Sequence, residues 1–475
     1  MIDKEEFKKR AYELVDWMAD YMENVEQYPV KSTVAPGEIK AQLPQKPPAA
    51  GESFDQIWSD FKKIIMPGIT HWQSPNFHAY FPANNSYPSI MAEMVMSTMG
   101  AQCMIWETSP AAAELEEQVL NWLGKEMGIP ADWSGVIQDT ASTATLAAIL
   151  TARERSTAFE INKSGFTGEQ VFRVYCSSET HSSIEKGVKI AGIGSRNLVK
   201  IPVGEDMSMK TAALEEQIKK DLSQGYTPIC VVSAVGTTGT VAIDDVKAIS
   251  TICQTHGVWH HIDAAYAGTA LLLPEYHRWI DGISEADSFV FNPHKWMFTN
   301  FDCTAYYVKD KVALINTFEI LPEYLKTSSR GAVNDYRDWG IPLGRRFRAL
   351  KLWFVIRSFG MDGLREKLRY HISLADWLHE QVLAELDFEV VTPKVINMVV
   401  FIYSPTGVDS DQLNVLNEQL IQNLNATGRI FLSHTKVHGK YALRMPIGQT
   451  NVEEHHIEAS WGLIKETARQ LQAAY

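Results

Sequence analysis

The sequence predicts an α/β protein with a largely parallel sheet that is covered by helices on both faces. Between residues 134 and 310, short apolar runs alternate with segments of helical periodicity, which is typical of successive βαβ units. Polar residues follow several of these runs, at the strand ends where open α/β sheets bind ligands. The apolar runs of strand length lie at 171–175, 229–233, 259–262 and 289–291.

The composition is that of an ordinary globular protein. A chain of 475 residues is too long for one small core, so two or three domains are expected. Apolar residues make up 45% of the chain, as in soluble proteins generally. The net charge of −13 argues against nucleic acid or an anionic membrane surface as a partner.

Residues 1–10 are charged and lack the apolar stretch of a signal peptide. No later stretch is long and apolar enough to span a bilayer. The five cysteines are scattered, odd in number and form no C-x-x-C motif. This pattern predicts reduced thiols in a cytoplasmic protein.

The N-terminal region predicts a helix, an extended linker and a second helix. Asp3 and Glu6 have capping-box spacing, and apolar residues then recur at helical spacing as far as Met22. The apolar face of this helix suits packing either on its own chain or on a second subunit. Several prolines between residues 29 and 50 predict an extended linker, and Ser53 opens the second helix.

The segment 71–88 is dense in aromatic residues and prolines and has no regular apolar period. Such a segment is typical of a pocket wall, and equally of a packed loop. Helices are predicted at about 89–99 and after Ser109, where Pro110 marks a helix start.

After the alternating region, residues 320–336 lack an apolar period and predict a mobile loop. A helix near 343–358 then leads into a smaller α+β region. That region is predicted to contain a long helix at about 361–385, strands near 388–403 and 429–446, and a closing helix after 451.

Lys295 lies in an unusual setting for a lysine. The apolar run that ends at Phe291 is stopped by Pro293, and the lysine follows at once. Desolvation at a buried strand end lowers the pKa of a lysine from ~10.4 and leaves a neutral amine that can form a Schiff base. An isolated lysine at a strand end is more often a surface residue. A second strand-like run, however, ends in a carboxylate, Asp263.

A lysine and an acid at two strand ends are what pyridoxal phosphate (PLP) chemistry needs. Six sequence motifs, spread over nearly the whole chain, occur in the order in which one known family has them. With them, the sequence resembles the PLP-dependent group II amino-acid decarboxylases, and within these the aromatic-L-amino-acid decarboxylases. The motifs are His-Trp-Gln-Ser-Pro from His71, Tyr-Phe-Pro at 80–82, Val-Ile-Gln at 136–138, His-Ser-Ser at 181–183, Asn-Pro-His-Lys-Trp at 292–296 and Ile-Pro-Leu-Gly-Arg-Arg-Phe-Arg at 341–348.

The resemblance implies PLP fold type I, like aspartate aminotransferase. It implies an N-terminal helical dimerisation segment at 1–85, a large PLP-binding domain with a seven-stranded sheet at 86–359, and a small α+β domain at 360–475. It also implies a homodimer with active sites at the subunit interface.

The resemblance assigns the cofactor-binding residues. Lys295 would carry the cofactor aldehyde, Asp263 would keep the pyridine nitrogen protonated, and the imidazole of His181 would stack on the ring and reach the substrate carboxylate. Asp139 stands where relatives have glycine, and an acid beside a phosphate is unfavourable, so we do not expect it to be a ligand. The other cofactor-binding residues implied are Thr140, Ala141, Ser142, Thr237, Ala265, Asn292 and His294.

The resemblance also assigns the substrate side of the site. Tyr324, in the predicted mobile loop, would be the acid that protonates the carbon left after CO2 loss. Gly344 would leave room for a large ring, and Gln102 and Met104 would reach the neighbouring subunit's pocket. The residues implied as the aromatic wall are Trp72, Tyr80, Phe81, Pro82 and Phe301.

These assignments predict decarboxylation of an aromatic amino acid, namely Dopa, tyrosine, tryptophan, 5-hydroxytryptophan or phenylalanine. Two enzymatic alternatives stay open, an aromatic aldehyde synthase and a decarboxylase of a non-aromatic amino acid. A non-catalytic binding protein of the same fold is a more distant alternative. A metal site at His256, His260 and His261 is not expected, because adjacent residues of a strand point to opposite faces.

Overall fold

A computed structural model describes residues 2–168, 170–320 and 331–474. These residues form two compact units. The large unit contains residues 83–373 and 392–398, and the small unit contains the N-terminal 82 residues together with 374–391 and the chain from 399 onward. The predicted division at 1–85, 86–359 and 360–475 remains a prediction.

The strands, in chain order, are β1 Phe77–His78, β2 Ser134–Gln138, β3 Phe172–Ser177, β4 Leu198–Ile201, β5 Thr227–Ala234, β6 Trp259–Asp263, β7 Ser288–Phe291, β8 Thr304–Val308, β9 Phe388–Val390, β10 Met398–Tyr403, β11 Phe431–Val437 and β12 Lys440–Pro446.

The α-helices of the described residues are α1 Lys4–Glu23, α2 Glu38–Gln42, α3 Phe54–Asp60, α4 Tyr87–Met99, α5 Pro110–Met127, α6 Ala141–Ser156, α7 Ile161–Ser164, α8 Ser183–Ile190, α9 Thr211–Ser223, α10 Val246–His256, α11 Pro293–Trp296, α12 Lys311–Phe318, α13 Arg348–Ala384, α14 Ser410–Ala426 and α15 Glu454–Ala474. No helix among the described residues has the length and hydropathy that a membrane span requires.

The large unit is built on a seven-stranded sheet in the order β2-β8-β7-β6-β5-β3-β4. The five strands from β7 to β4 are parallel, whereas β8 is antiparallel to both of its neighbours. Most residues of these strands are buried, as expected for parallel strands that are covered on both faces. The predicted α/β class and mostly parallel seven-stranded sheet are confirmed.

A five-stranded sheet in the order β1-β11-β12-β10-β9 accounts for the strands of the small unit. The short strand β1 pairs in parallel with β11, and the other pairs whose register is defined are antiparallel. Helices α14 and α15 pack with this sheet around an apolar cluster that includes Phe401, Leu420 and Trp461.

The predicted break between helices near Gly360 is a kink inside α13, where Gly360 has a φ of 67°. The predicted extended linker at 29–50 was wrong in part, because α2 lies inside it. Gly37 adopts a φ of 90° directly before α2, and the Glu38 carboxylate accepts the N–H of Ala35 at 2.9 Å. The residues of α2 contain no proline, so they can close one helical turn.

Candidate active site

Asp263 and Lys295 follow neighbouring parallel strands at the same edge of the large sheet. Asp263 is the last residue of β6 and pairs in register with Val290 of β7. Pro293 starts the short helix α11 directly after β7, and α11 carries Lys295. The Asp263 side chain is 9% exposed, and its Oδ1 accepts the N–H of Ala265 at 3.0 Å. The structure therefore brings the predicted lysine and the predicted acid to one end of the sheet.

His181 lies close enough to Lys295 and Asp263 to interact with both electrostatically. It lies between β3 and α8, and its Nδ1 is 2.8 Å from the hydroxyl of Ser183. The pKa of His181 is lowered, first by lost hydration and then by the charge of Lys295, while Asp263 acts in the opposite direction. The imidazole is thus within electrostatic reach of both residues and is neutral at neutral pH.

The residues expected to hold a phosphate lie at the start of α6. Thr140 is the N-cap, and its hydroxyl accepts the N–H of Thr143 at 3.4 Å. Ala141 and Ser142 form the first turn, where the N–H groups of a helix have no intrahelical partner and favour anions. The carboxylate of Asp139 accepts the N–H of Thr140 at 2.7 Å, so it is turned back onto the backbone.

Asn292 and His294 link the lysine segment to neighbouring elements. The hydroxyl of Thr304 lies 2.8 Å from the Asn292 side-chain oxygen and 3.1 Å from the carbonyl of Asp139, which connects β7 to the start of α6. His294 is buried, and its Nδ1 is 2.8 Å from the carbonyl oxygen of Cys303. Burial, assisted by the charge of Lys295, lowers the pKa of His294 to about 3, so this imidazole is also neutral.

Thr237 and Ala265 lie in turns that follow β5 and β6. The buried hydroxyl of Thr237 accepts the N–H of Ala242 at 3.0 Å and lies 3.1 Å from the hydroxyl of Thr240. The carbonyl of Ala265 accepts the N–H of Asn292 at 3.0 Å. Both residues therefore shape the backbone at the edge of the sheet where Asp263 and Lys295 lie.

Three predicted substrate residues of the large unit, Gln102, Met104 and Gly344, lie near or within the segment 337–345. The Gln102 side-chain oxygen accepts the N–H of Arg345 at 2.7 Å, and a Cβ on Gly344 would lie 3.3 Å from the Gln102 amide nitrogen. The carbonyl of Met104 accepts the N–H of Arg337 at 2.8 Å. A substituent at position 344 would therefore press directly on Gln102.

Phe301 is 60% exposed, and its ring lies edge-on to His294 with centroids 4.7 Å apart. This contact brings one of the predicted wall residues next to the lysine segment. Tyr324 lies outside the described residues.

The other predicted wall residues belong to the small unit. Trp72 and Tyr80 stack with ring centroids 5.8 Å apart, and the N–H of Tyr80 is donated to Ser433 at 2.9 Å. The guanidinium of Arg444 lies 4.9 Å from the centre of the Phe81 ring. Pro82 is the last residue of this stretch in the small unit.

Sequence reasoning missed a buried lysine close to the lysine segment. Lys351 in α13 is fully buried, and its Nζ lies 3.3 Å from the Glu93 carboxylate. Its charge helps to lower the pKa of His294. The available signal was a lysine on the apolar face of a helix, where an uncompensated charge is costly.

His260 and His261 point to opposite faces of β6, as residues on a strand should. His260 contacts the hydroxyls of Ser233 and Ser250, and His261 contacts those of Thr145 and Ser288. No group of three or more metal-binding side chains occurs in the part of the chain that the structure describes.

Comparison with known proteins identifies the family. Residues 36–404 match the model of the pyridoxal-dependent decarboxylase conserved domain. The chain belongs to the pyridoxal-dependent decarboxylase family. The predicted cofactor, PLP, and the predicted class of enzyme, a PLP-dependent carboxy-lyase, are thereby confirmed.

This decarboxylase is similar to curated and solved plant proteins along its whole length. It is 40% identical to tryptophan decarboxylase 2 of Oryza sativa subsp. japonica, covering 99% of this chain and 96% of the relative. It is 39% identical to tyrosine decarboxylase 2 of Narcissus pseudonarcissus, with the same coverage. The crystal structure of Rhodiola rosea 4-hydroxyphenylacetaldehyde synthase matches with a TM-score of 0.91 at 34% identity, covering 99% of both chains.

The residues of this decarboxylase fit the cofactor chemically. A helix N-terminus suits the phosphate, a lysine amine suits the aldehyde, and a carboxylate suits a protonated ring nitrogen. All three groups lie in the large unit, and the last two follow adjacent strands. The roles of the individual residues remain predictions.

Proposed function

We propose that this protein decarboxylates an aromatic L-amino acid to the corresponding arylalkylamine and CO2. The candidates are Dopa, tyrosine, tryptophan, 5-hydroxytryptophan and phenylalanine. Relatives that are named tryptophan decarboxylase and tyrosine decarboxylase, at 40% and 39% identity over 99% of the chain, support this substrate class. The observation that carries the proposal is the grouping of Lys295, Asp263 and His181 at one edge of the sheet.

Each of these residues has a proposed role. When bound, PLP supplies an electron sink for the bond that breaks at the substrate Cα. Lys295 would hold the cofactor through its Nζ and would give way to the substrate amine. The Asp263 carboxylate holds a proton on the ring nitrogen. His181 orients the ring and contacts the substrate carboxylate. The Tyr324 hydroxyl delivers the proton that replaces CO2 on Cα.

The lowered pKa of His181 suits this role. A neutral imidazole can orient the substrate carboxylate by a hydrogen bond without forming an ion pair with it. An ion pair would stabilise the negatively charged carboxylate of the bound substrate. That stabilisation would be lost as the carboxylate leaves as CO2, so the barrier would rise.

An aromatic aldehyde synthase is the second candidate function. The likeness to the Rhodiola rosea 4-hydroxyphenylacetaldehyde synthase, at 34% identity, favours it. The family resemblance associates phenylalanine with synthase chemistry at the position of Tyr324, and this chain has tyrosine there. We therefore favour plain decarboxylation.

Homodimer formation is also part of the proposal. Helix α1 has no buried residue, and Phe7 and Tyr12 are 64% and 67% exposed. Helix α4 exposes Tyr87, Met91 and Met99, each by more than half. Exposed apolar helix faces of this kind support burial against a second copy. Sedimentation velocity of the wild type should give a mass of about twice 53.4 kDa, and a monomer would contradict the proposal.

A cytoplasmic location is proposed as well. All five cysteines are free and buried, which suits a reducing compartment. Fractionation of the source cells with an antibody to the protein would test it.

The test of the function is a visible spectrum of the purified protein, followed by incubation with a panel of amino acids. We expect a visible absorption band with PLP, from its Schiff base with a lysine, and amine plus CO2 from aromatic acids without peroxide. Peroxide, ammonia and aldehyde would indicate a synthase. Amine from non-aromatic acids alone would indicate another decarboxylase, and no band with added PLP would indicate a non-catalytic protein.

A further inference from the structure

Helix α6 packs on the face of β6 that carries Trp259, His261 and Asp263. The Nε2 of His261 lies 3.2 Å from the hydroxyl oxygen of Thr145 in α6. Later in α6 and earlier in β6, the guanidinium of Arg155 lies 5.4 Å from the centre of the Trp259 ring. The helix therefore runs antiparallel to the strand, because its later residue contacts the earlier residue of β6.

This antiparallel packing brings the start of α6 level with the end of β6. From Thr145 back to Thr140 is five helical residues, roughly 7.5 Å along the axis. From His261 forward to Asp263 is two strand residues, roughly 6.6 Å. The N-terminus of α6 and the carboxylate of Asp263 thus lie at similar distances beyond the Thr145–His261 contact.

The contact is buried, and each ring nitrogen of His261 has a hydroxyl neighbour. Thr145 and His261 are both completely buried. The other ring nitrogen of His261 lies 2.9 Å from the hydroxyl of Ser288, which also accepts the indole N–H of Trp259 at 2.9 Å. Burial lowers the pKa of His261 to about 3, so the imidazole stays neutral and uses one nitrogen as a donor and the other as an acceptor.

We propose that the Thr145–His261 hydrogen bond is a positioning contact for the cofactor. It holds the helix that begins at the phosphate-binding residues in register with the strand that ends in Asp263. The residues that would hold the two ends of the cofactor are then kept a fixed distance apart. The inference rests on the proposed cofactor site, and it concerns two completely buried residues that are not among the proposed cofactor-binding or substrate-binding residues.

The same strand offers a matched control. His260 is also completely buried, and its ring nitrogens lie 2.7 Å from the Ser233 hydroxyl and 2.9 Å from the Ser250 hydroxyl. Ser250 belongs to α10, on the opposite face of β6 from Asp263. Loss of the Ser250 hydroxyl removes a hydrogen bond of the same kind, from the adjacent histidine, without touching α6.

The experiment compares Thr145→Val, Thr145→Ser and Ser250→Ala in the full-length protein. Each apoprotein is titrated with PLP while the visible absorption band is followed, and its melting temperature is measured without cofactor. We expect Thr145→Val to weaken PLP binding by about tenfold or more and to shift the band. Thr145→Ser keeps the hydroxyl and should bind like the wild type. Ser250→Ala should lower the melting temperature but bind PLP with unchanged affinity.

The proposal is overturned if Thr145→Val binds PLP like the wild type, or if Ser250→Ala weakens binding as much as Thr145→Val does. The second result would mean that affinity merely follows global stability. If Thr145→Val does not fold, Thr145→Ala also removes the hydroxyl and is compared with Thr145→Ser and Ser250→Ala in the same way. A wild-type protein that binds no PLP would refute the proposed function itself, whereas normal wild-type binding with an unaffected Thr145→Val refutes only this inference.

Discussion

The guanidinium of Arg345 and the carboxylate of Glu116 meet 2.6 Å apart in the interior of the large unit. Their side chains are only 7% and 3% exposed. The same guanidinium donates to the carbonyl of Ile137 at 2.8 Å, and the same carboxylate accepts the N–H of Ile137 at 2.8 Å. Glu116 of α5 and Arg345 are therefore both bonded to Ile137 of strand β2, just before the proposed phosphate-binding turn.

Breaking this pair on one side should destabilise the protein strongly. Glu116→Ala leaves the charge of Arg345 buried without its partner, so we expect a loss of about 3–5 kcal/mol in the free energy of unfolding, measured with urea. Glu160→Ala, which removes the exposed ion pair with Lys163, should change stability by less than about 1 kcal/mol. Equal effects of the two substitutions would contradict the assignment of a structural role to the buried pair.

Lys295→Ala should abolish both the visible band and the decarboxylation. Without the Nζ amine the cofactor has no covalent attachment, so we expect activity to fall by at least about 10³-fold. Lys186→Ala is the control, since this exposed lysine also influences His181 electrostatically but is not part of the proposed site. Visible spectra and CO2 release, measured for both variants, test this expectation. A retained band in Lys295→Ala would point to a different lysine.

Tyr324→Phe should change the product. If the tyrosine hydroxyl protonates Cα, we expect amine formation to fall by about 10²-fold and aldehyde, ammonia and peroxide to appear. Product analysis by chromatography, with a peroxide assay under oxygen and under nitrogen, would show it. Unchanged amine formation in Tyr324→Phe would assign the proton to another group.

Stability should fall as the pH drops from about 6.5 toward 4. Burial lowers the pKa values of His260, His261, His294 and His371 to about 3. Between about pH 6.5 and 3 the unfolded chain therefore binds more protons than the folded one, which costs about 1.4 kcal/mol per histidine for each pH unit. Asp244, with a pKa raised to about 6 by burial, and Asp287, whose pKa burial also raises, act in the opposite direction. His78, with a pKa lowered to about 4 by burial, adds to the effect of the four histidines.

Urea unfolding at several pH values would measure this dependence. His371→Gln removes one titrating group but keeps an acceptor for the indole N–H of Trp296, which now bonds to His371 at 3.0 Å. The free energy of unfolding of this variant should fall less steeply with decreasing pH than that of the wild type. The difference in slope should be about 1.4 kcal/mol per pH unit. A wild-type stability that is flat between pH 7 and 5 would contradict the expected proton uptake on unfolding.

Adding a methyl group at two glycines should have opposite effects. A Cβ on Gly268 would lie 2.5 Å from Cβ of the buried Phe291, so Gly268→Ala should destabilise by about 1–3 kcal/mol or more. Gly462 is inside α15 with open space around it, so Gly462→Ala should stabilise by about 0.5–1 kcal/mol. Thermal unfolding of both variants would show the difference in sign, and destabilisation by Gly462→Ala would contradict it.

Much of the large unit could be predicted from local patterns. The apolar runs at 229–233 and 259–262 lie within β5 and β6, because buried parallel strands are apolar on both faces and short. Lys295 and Asp263 could be chosen because a lysine and an acid at two strand ends match what PLP chemistry needs, and the lysine lies within one of the family motifs. The short helix α2 was missed because five prolines nearby dominated the local pattern.

Contacts between distant segments could not be predicted in this way. Neither Thr145 nor His261 is unusual for its own element, and their hydrogen bond depends on how α6 lies across β6. The pairing of Glu116 with Arg345 likewise joins residues more than 200 positions apart. Such partners are chosen by packing and burial, for which local periodicity carries no information.

The sequence by itself determined the α/β class, the cofactor chemistry and the family, because strand and helix periods and the motif residues are local properties of the chain. Only the tertiary structure decided that β1 joins the sheet of the small unit, where Phe77 pairs with Phe431. It also decided that Asp263 and Lys295 follow neighbouring strands. Strand order depends on which apolar faces bury each other, and that choice is made by the whole folded chain.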